Sequence, residues 1–421
     1  MHHIFRETRK DKQITEKQIG DIMIELKGKR NSAIIFAEKI DKEAKTQLAA
    51  LLREEAFADA KIRIMPDVHA GKNAVVGTTM TLNGRILPAL LGVDIGCGVE
   101  VVFLEERQVD LPALDRAVHD LIPCGAKIHA VPVGGAFDFS ALHCGGVIDR
   151  EHALRSLGSL GGGNHFIEMD RAADGSLLLL IHSGSRRLGS DVAVYYRELA
   201  FREACRAERR QTGRKDRSRC GEGSHDGEEY ACRAVRRENR SKLHVTRENA
   251  VLRGERFRQY VHDVGIVQAY AERNRRVMAE RICAALGLHI RDRFSCVHNY
   301  IDTEHGILRK GAISARTGER VIIPLNMRDG AVLGRGKGNP AWNFSAPHGA
   351  GRACSRVEAR HLYTVEEFQR EMSGIYTTTA EIGSLDECPM AYKPARRILD
   401  AIGDTIEAEE IVRPIYNFKA C

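Results

Sequence analysis

Over residues 23–200, apolar and polar positions alternate on a short length scale, and strand-like runs are broken by glycine turns. Lys61-Ile-Arg-Ile-Met65 runs into Pro66-Asp-Val-His69, and Leu177-Leu-Leu-Leu-Ile181 is a fully apolar run of strand length. Ile86-Leu-Pro-Ala-Leu-Leu-Gly-Val93 is taken as a further strand. From about residue 257 the period changes. Tyr260, Val261, Val264, Val267, Val277, Ile282 and Leu286 recur at helical spacing and predict a long helix with one apolar face. The stretch 301–421 returns to short strands such as Val321-Ile-Ile-Pro-Leu325 and closes with helices. Thr364-Val-Glu-Glu367 is a capping-box sequence and predicts a helix start. Strands and helices mix without a regular βαβ period, so the predicted class is α+β rather than doubly wound.

Two segments stand apart from this pattern. Residues 205–250 carry few large apolar side chains and many arginines and glycines, which predicts a basic, poorly packed excursion. Residues 1–22 are polar and are expected to form a peripheral extension, with Met23 opening the first strand-like segment and a candidate start in its own right. Residues 23–421 are therefore taken as one domain interrupted at 205–250.

Composition narrows the class. The chain is 43% hydrophobic and 29% charged, as expected of a soluble globular protein. No apolar run approaches the roughly 20 residues of a membrane-spanning helix. The start of the sequence turns charged at once, so no secretory apolar segment is expected there. Eleven cysteines without a CxxC pair argue against both a disulfide framework and a zinc ribbon. A reducing cytoplasm is the expected compartment. The net charge of +7 resides in residues 201–258, with 17 Lys+Arg against 10 Asp+Glu. Such a segment can hold RNA phosphates, but a solvated helical insertion is the simpler reading.

The candidate chemistry lies at strand ends and glycine turns. Asp94 and Cys97 occupy Leu91-Gly-Val-Asp-Ile-Gly-Cys-Gly98, and His165 occupies Gly161-Gly-Gly-Asn-His165. His182 follows the 177–181 run, and His298 follows Phe294-Ser-Cys-Val297. Three imidazoles, a carboxylate and a thiolate make a ligand set for one or two divalent ions, and a thiolate can bridge two. Ligand type alone does not fix the metal. His348 lies in Ser345-Ala-Pro-His-Gly-Ala-Gly-Arg352. Neutral imidazole is a competent nucleophile toward phosphorus. Arg352 and Arg356 have the spacing to share one face of a following helix and bind phosphate. Spacing alone does not separate this reading from a turn histidine with two surface arginines. There is no P-loop and no strand-GxGxxG-helix fingerprint.

Together, Pro66-Asp-Val-His69, Gly92-Val-Asp-Ile-Gly-Cys-Gly98, Gly163-Asn-His-Phe-Ile-Glu168, His182-Ser-Gly-Ser-Arg186, His298-Asn299 and His348-Gly-Ala-Gly-Arg352 resemble the RtcB family of RNA-splicing ligases. The resemblance runs from Met23 to Lys419 apart from about 205–250. It implies one RtcB-like domain with mixed and antiparallel sheets flanked by helices. It also implies a GTP- and Mn²⁺-dependent ligase joining an RNA 3′-phosphate or 2′,3′-cyclic phosphate to a 5′-hydroxyl. On that resemblance Asp94, Cys97, His165, His182 and His298 hold two Mn²⁺ ions with Cys97 shared, and His348 is the guanylylated nucleophile. Asn164 holds the GMP phosphate. Phe166, Glu168, Tyr392 and Lys419 contact the guanine side, and Arg186, Arg352 and Arg356 contact RNA or phosphate. The implied partner is RNA, as tRNA halves or broken RNA, with an archease-type activator as a candidate second partner. A monomer is the expected state. The competing reading is a metal-dependent phosphodiesterase or cyclic-phosphate hydrolase that does not ligate. His348 discriminates, because a hydrolase has no use for a guanylylated histidine.

Overall fold

Two seven-stranded sheets carry the molecule, which the computed structural model describes at residues 15–20, 23–219 and 246–420. The first runs Thr15–Gly20, Met23–Lys27, Ser32–Ile35, Ile62–His69, Val76–Thr81, Ile307–Lys310, Asn299–Asp302 in spatial order. Its neighbours are antiparallel except Ser32–Ile35 beside Ile62–His69, which are parallel. Parallel neighbours need a crossover, and helix Lys42–Leu51 lies within it. Asp41 caps that helix by accepting from the Ala44 amide at 2.7 Å, and Ala44, Leu48, Ala49 and Leu51 are its buried side.

The second sheet is antiparallel throughout: Ile290–Val297, Gly98–Leu104, Leu177–Ser183, Phe166–Arg171, Ile406–Lys419, Gly330–Gly336, Arg320–Asn326. Every residue of Leu177–Ser183 is buried. Leu178 and Leu180 join one core with Val99, Val101 and Phe166. Leu177, Leu179 and Ile181 join another with Met278 and Ile282. A strand covered on both faces has no polar side to show, which is why its sequence is an unbroken apolar run. Each leucine buried there contributes about 1.5–3 kcal/mol.

Helix Gly254–Leu286 supplies the cover. Its buried side includes Tyr260, Val264, Val267, Val277 and Ile282, as the helical spacing predicts. Val365–Glu371 opens on Thr364 with a complete capping box, again as predicted. The class is α+β, with mixed and antiparallel sheets flanked by helices.

Two expectations change. Ile86–Val93 is not a strand: only Arg85–Ile86 pairs, and Pro88–Leu91 forms one helical turn with Pro88 at its first position. Proline's fixed φ and missing N–H suit that position. The arginines Arg352 and Arg356 do not share a helix face. Ser355 caps helix Arg356–Leu362, so Arg352 lies before it. The 205–250 segment is helical at its start, where Arg186–Arg219 runs into it, and Ala250 at its far end packs into the main core. Residues 220–245 lie outside the described residues. At the other end Thr15–Gly20 pairs with Met23–Lys27 as an exposed edge strand, and Glu16 pairs with Lys45. Residues 1–14 and 21–22 also lie outside the description.

Candidate functional site

The ligand-type residues converge where strands of the second sheet end. Side chains two apart on a strand share a face, so His182 continues the Leu178–Leu180 face, and register sets it between Val99 and Phe166. The His298 amide donates to the Cys97 carbonyl at 2.9 Å, which ties the end of one strand to the start of its neighbour. Cys97 Sγ lies 3.2 Å from His182 Nε2 and 3.5 Å from His165 Nε2. His182 Nε2 is 3.3 Å from His298 Nε2, and His165 Nε2 is 3.4 Å from Asp94 Oδ2. The donors thus form two triads, Cys97–His182–His298 and Asp94–Cys97–His165, with the sulfur in common. Around one ion, bonds of about 2.0–2.3 Å leave donors roughly 3.3–3.7 Å apart, so the spacing fits two ions bridged by a thiolate.

The imidazoles are oriented for this. His165 Nδ1 bonds the Leu160 carbonyl at 2.8 Å and His182 Nδ1 the Asn164 carbonyl at 3.1 Å. A carbonyl can only accept, so each Nδ1 carries the proton and each Nε2 presents a lone pair to the centre. Burial pushes His182 and His298 well below the ordinary histidine range and keeps them neutral. Burial and the Asp94 carboxylate push the Cys97 thiol well up, so only a cation would draw its proton off. Asp94 is held well below the usual carboxylate range: desolvation opposes this, but His165 outweighs it. A Cβ at Gly184 would fall 2.0 Å from Asp94 Oδ1, so the turn after His182 requires glycine.

Helix Gly254–Leu286 locks the turns that carry the ligands. Asn274 accepts from the Gly158 amide at 2.8 Å and donates to the Gly184 carbonyl at 3.1 Å. Arg275 is fully buried and donates to the carbonyls of Gly96 at 2.8 Å and Ser183 at 2.9 Å.

His348 stands beside the centre, its ring centroid 4.7 Å from that of His298. Its Nδ1 is 2.6 Å from Asp67 Oδ2, and the same oxygen accepts its backbone N–H at 3.1 Å. Asp67 thereby fixes the tautomer that leaves the Nε2 lone pair free.

A cavity of about 920 Å³ opens in front. Its walls include Asn164, Phe166, Glu168, His182, His298, His348, Arg352, Arg356, Tyr392 and Lys419. Arg186 is turned elsewhere: it donates to the Gly125 carbonyl at 2.7 Å and to Ser159 Oγ at 3.1 Å, and supports the turn that bears His165. Arg352, Arg356, Tyr392 and Lys419 meet on one buried carboxylate, Glu387, which accepts from Arg352 at 3.2 Å and Lys419 at 3.0 Å. Burial works against charge there, but Lys419 and Arg356 bring the Glu387 carboxyl down to about 2.

Sequence reasoning gave no role to Asp67, Glu387, Asn274 or Arg275. Asp67 lay inside a motif already singled out, Pro66-Asp-Val-His69. Glu387 carries no local signal, because its partners are brought together only by the fold.

The model of the family described as tRNA-splicing ligase RtcB matches residues 47–137 and 141–420. The chain is similar to the RNA-splicing ligase RtcB of Escherichia coli K12, 29% identical over 403 residues that cover 86% of this chain and 91% of the relative. An RNA-splicing ligase RtcB of Mycobacterium tuberculosis is 28% identical, covering 83% of this chain and 94% of the relative. The tRNA-splicing ligase RtcB of Methanococcus maripaludis is 26% identical, covering 81% and 84%.

Proposed function

Because the chain belongs to the RtcB family of tRNA-splicing ligases, we propose that it is an RNA ligase joining 3′-phosphate or 2′,3′-cyclic phosphate ends to 5′-hydroxyl ends through a GMP–histidine intermediate. One observation carries the reading. A histidine with a free Nε2, backed by Asp67, faces a cavity beside two ligand triads that share the Cys97 sulfur.

Asp94, Cys97, His165, His182 and His298 would hold the metal pair, read as Mn²⁺. When bound, that pair supplies Lewis-acid neutralisation of charge on phosphoryl oxygens. The remaining chemistry belongs to the chain. His348 Nε2 attacks the α-phosphorus of GTP, a P–N bond forms, and the P–O bond to pyrophosphate breaks. Asp67 holds the Nδ1 proton and stabilises the charged ring as the bond forms. A 3′-phosphate oxygen of RNA then displaces His348 from the GMP phosphorus. The 5′-hydroxyl attacks the activated RNA phosphate and GMP leaves. A cyclic end is first opened by water.

Asn164 is assigned to the GMP phosphate, and Phe166, Glu168, Tyr392 and Lys419 to the guanosine. Arg352 and Arg356 reach RNA or phosphate from the Glu387 cluster. Arg186 acts by bracing the His165 turn, in place of a direct RNA contact. Among the described residues no helix is long and apolar enough to cross a membrane, and the reading places a monomer in the cytoplasm. The hydrolase alternative leaves the Asp67–His348 pair without a task.

The test is incubation with Mn²⁺ and α-labelled GTP. Label should follow the denatured protein and be released by acid, as a P–N bond is. His348→Ala should lose all label. Label that persists in His348→Ala moves the nucleophile elsewhere.

A further inference from the structure

Glu168 and Asp170 are two residues apart on strand Phe166–Arg171 and share one face. Both are buried. Glu168 reaches the cavity wall. Register sets it opposite Leu180 on one neighbouring strand and Asn417 on the other, and the Asn417 amide donates to it. Asp170 lies opposite Leu178 and Pro414. Proline has no N–H and leucine no polar side chain. Neither Asp170 oxygen meets a hydrogen-bond donor among the described residues. The Glu168 carboxyl, two residues away on the same face, is the charged group that acts on it.

Two ionised carboxylates cannot bond to each other, and an ionised, unpartnered Asp170 would cost several kcal/mol. One proton between them removes the conflict. It belongs on Asp170, because Glu168 has the Asn417 amide and the nearby Lys419 charge to stabilise its anion and Asp170 has neither.

We propose that Asp170 is a positioning residue for base selection: as the neutral acid it donates to Glu168 and keeps Glu168 as a charged acceptor for the adjacent N1–H and 2-amino groups of guanine. Adenine has an acceptor at N1 and no 2-amino group, so the same carboxylate rejects it. The proposal rests on reading the cavity as a guanine-nucleotide site.

The facing groups are consistent with this state. Strand Leu177–Ser183 presents Leu178 and Leu180. Strand Ile406–Lys419 presents Pro414, Asn417 and Lys419, and Lys419 is itself paired with Glu387. Burial raises both carboxyls above their ordinary range, while Asn417, Asp170 and Lys419 pull Glu168 back.

Calorimetric titration of the full chain with GMP and with AMP, from pH 5 to 8, tests it. The ratio of the two affinities is the readout, since titration of the nucleotide phosphate cancels. In the unsubstituted chain the ratio should favour GMP and fall as pH drops and Glu168 takes up a proton. Asp170→Asn keeps a neutral donor and should stay within about threefold, with its acid limb in place. Asp170→Leu removes the donor. It should lose at least about tenfold in the ratio at pH 7, a loss of about 1.4 kcal/mol, with the limb moved to higher pH. An unchanged ratio in Asp170→Leu overturns the proposal. A limb moved to lower pH in either variant also overturns it, because it would mean that a negative Asp170 had been repelling Glu168. Should Asp170→Leu show no cooperative melting, Asp170→Asn alone decides by the position of its limb. No preference for GMP in the unsubstituted chain overturns the nucleotide reading as well, whereas a preserved preference with unmoved variants overturns this inference alone.

Discussion

The Asp67–His348 pair is the most sensitive contact of the site, because it decides which ring nitrogen is free. Asp67→Ala should slow His348 guanylylation by about 10²–10³-fold, with Mn²⁺ affinity nearly unchanged, since Asp67 touches no ligand. Single-turnover labelling beside metal titration checks both halves; a matching loss of metal binding would make Asp67 part of the metal site. Glu387 gives a second test. It is buried with Arg352, Tyr392 and Lys419 gathered on it, so Glu387→Gln should cost about 3 kcal/mol of stability. Its folded carboxyl sits near 2, below the unfolded value. Its contribution is therefore fully present above about pH 4.5 and fades as pH falls toward 2. Thermal melts of the two proteins should differ most near neutrality and converge in that acid window. The clustering of Asp94, Cys97, His165, His182 and His298 near His348 was legible in the sequence because each sits beside an apolar run or a glycine turn. Glu387 was not, because a hub is defined by partners far away in the chain, from Arg352 to Lys419.

The long helix Gly254–Leu286 does more than cover a sheet. Asn274 and Arg275, adjacent in sequence, hold the turns after His182 and before Cys97 and the turn at Gly158. Asn274→Ala should leave the helix formed but lower Mn²⁺ affinity about 10–100-fold, as loss of such orienting bonds does. Equilibrium dialysis with Mn²⁺ measures this, and an unchanged affinity would show that the turns hold themselves. The helical period over 257–286 and the apolar run 177–181 were readable because one face, or both faces, of each element are buried. Ile86–Val93 was misread because a short apolar run does not reveal its own period. Proline at the first position of a turn was the better clue. The Arg352–Arg356 helix was misplaced for a related reason: Ser355 and Glu358 form the capping box that sets its start.

At the scale of the whole molecule, the proposed metal site would couple metal binding to folding through one sulfur. If Cys97 is a shared ligand, the metal must displace the proton of its thiol, so Mn²⁺ affinity should rise from pH 6 to pH 8. Mn²⁺ should raise the melting temperature of the intact chain and much less that of Cys97→Ala. A pH-independent affinity would mean that the sulfur stays out of the metal shell. The two segments that stood apart in the sequence are expected to be dispensable for chemistry. A chain beginning at Met23 loses an exposed edge strand and should still be labelled by GTP. Replacing 220–245 by a short neutral linker should leave labelling intact and reduce the salt dependence of RNA binding; loss of labelling would tie either segment to the site. Phe166–Arg171 and Gly330–Gly336 both pair with Ile406–Lys419, which also brings Asn417 and Lys419 to the cavity. During synthesis at about 5–20 residues per second, the earlier of these strands waits roughly 10–50 s for its partner. Through that interval the nascent chain exposes open sheet edges to the ribosome surface and to chaperones. A ribosome stalled before residue 406 would therefore hold a chain that has the two ligand-type triads and His348 but no finished cavity wall.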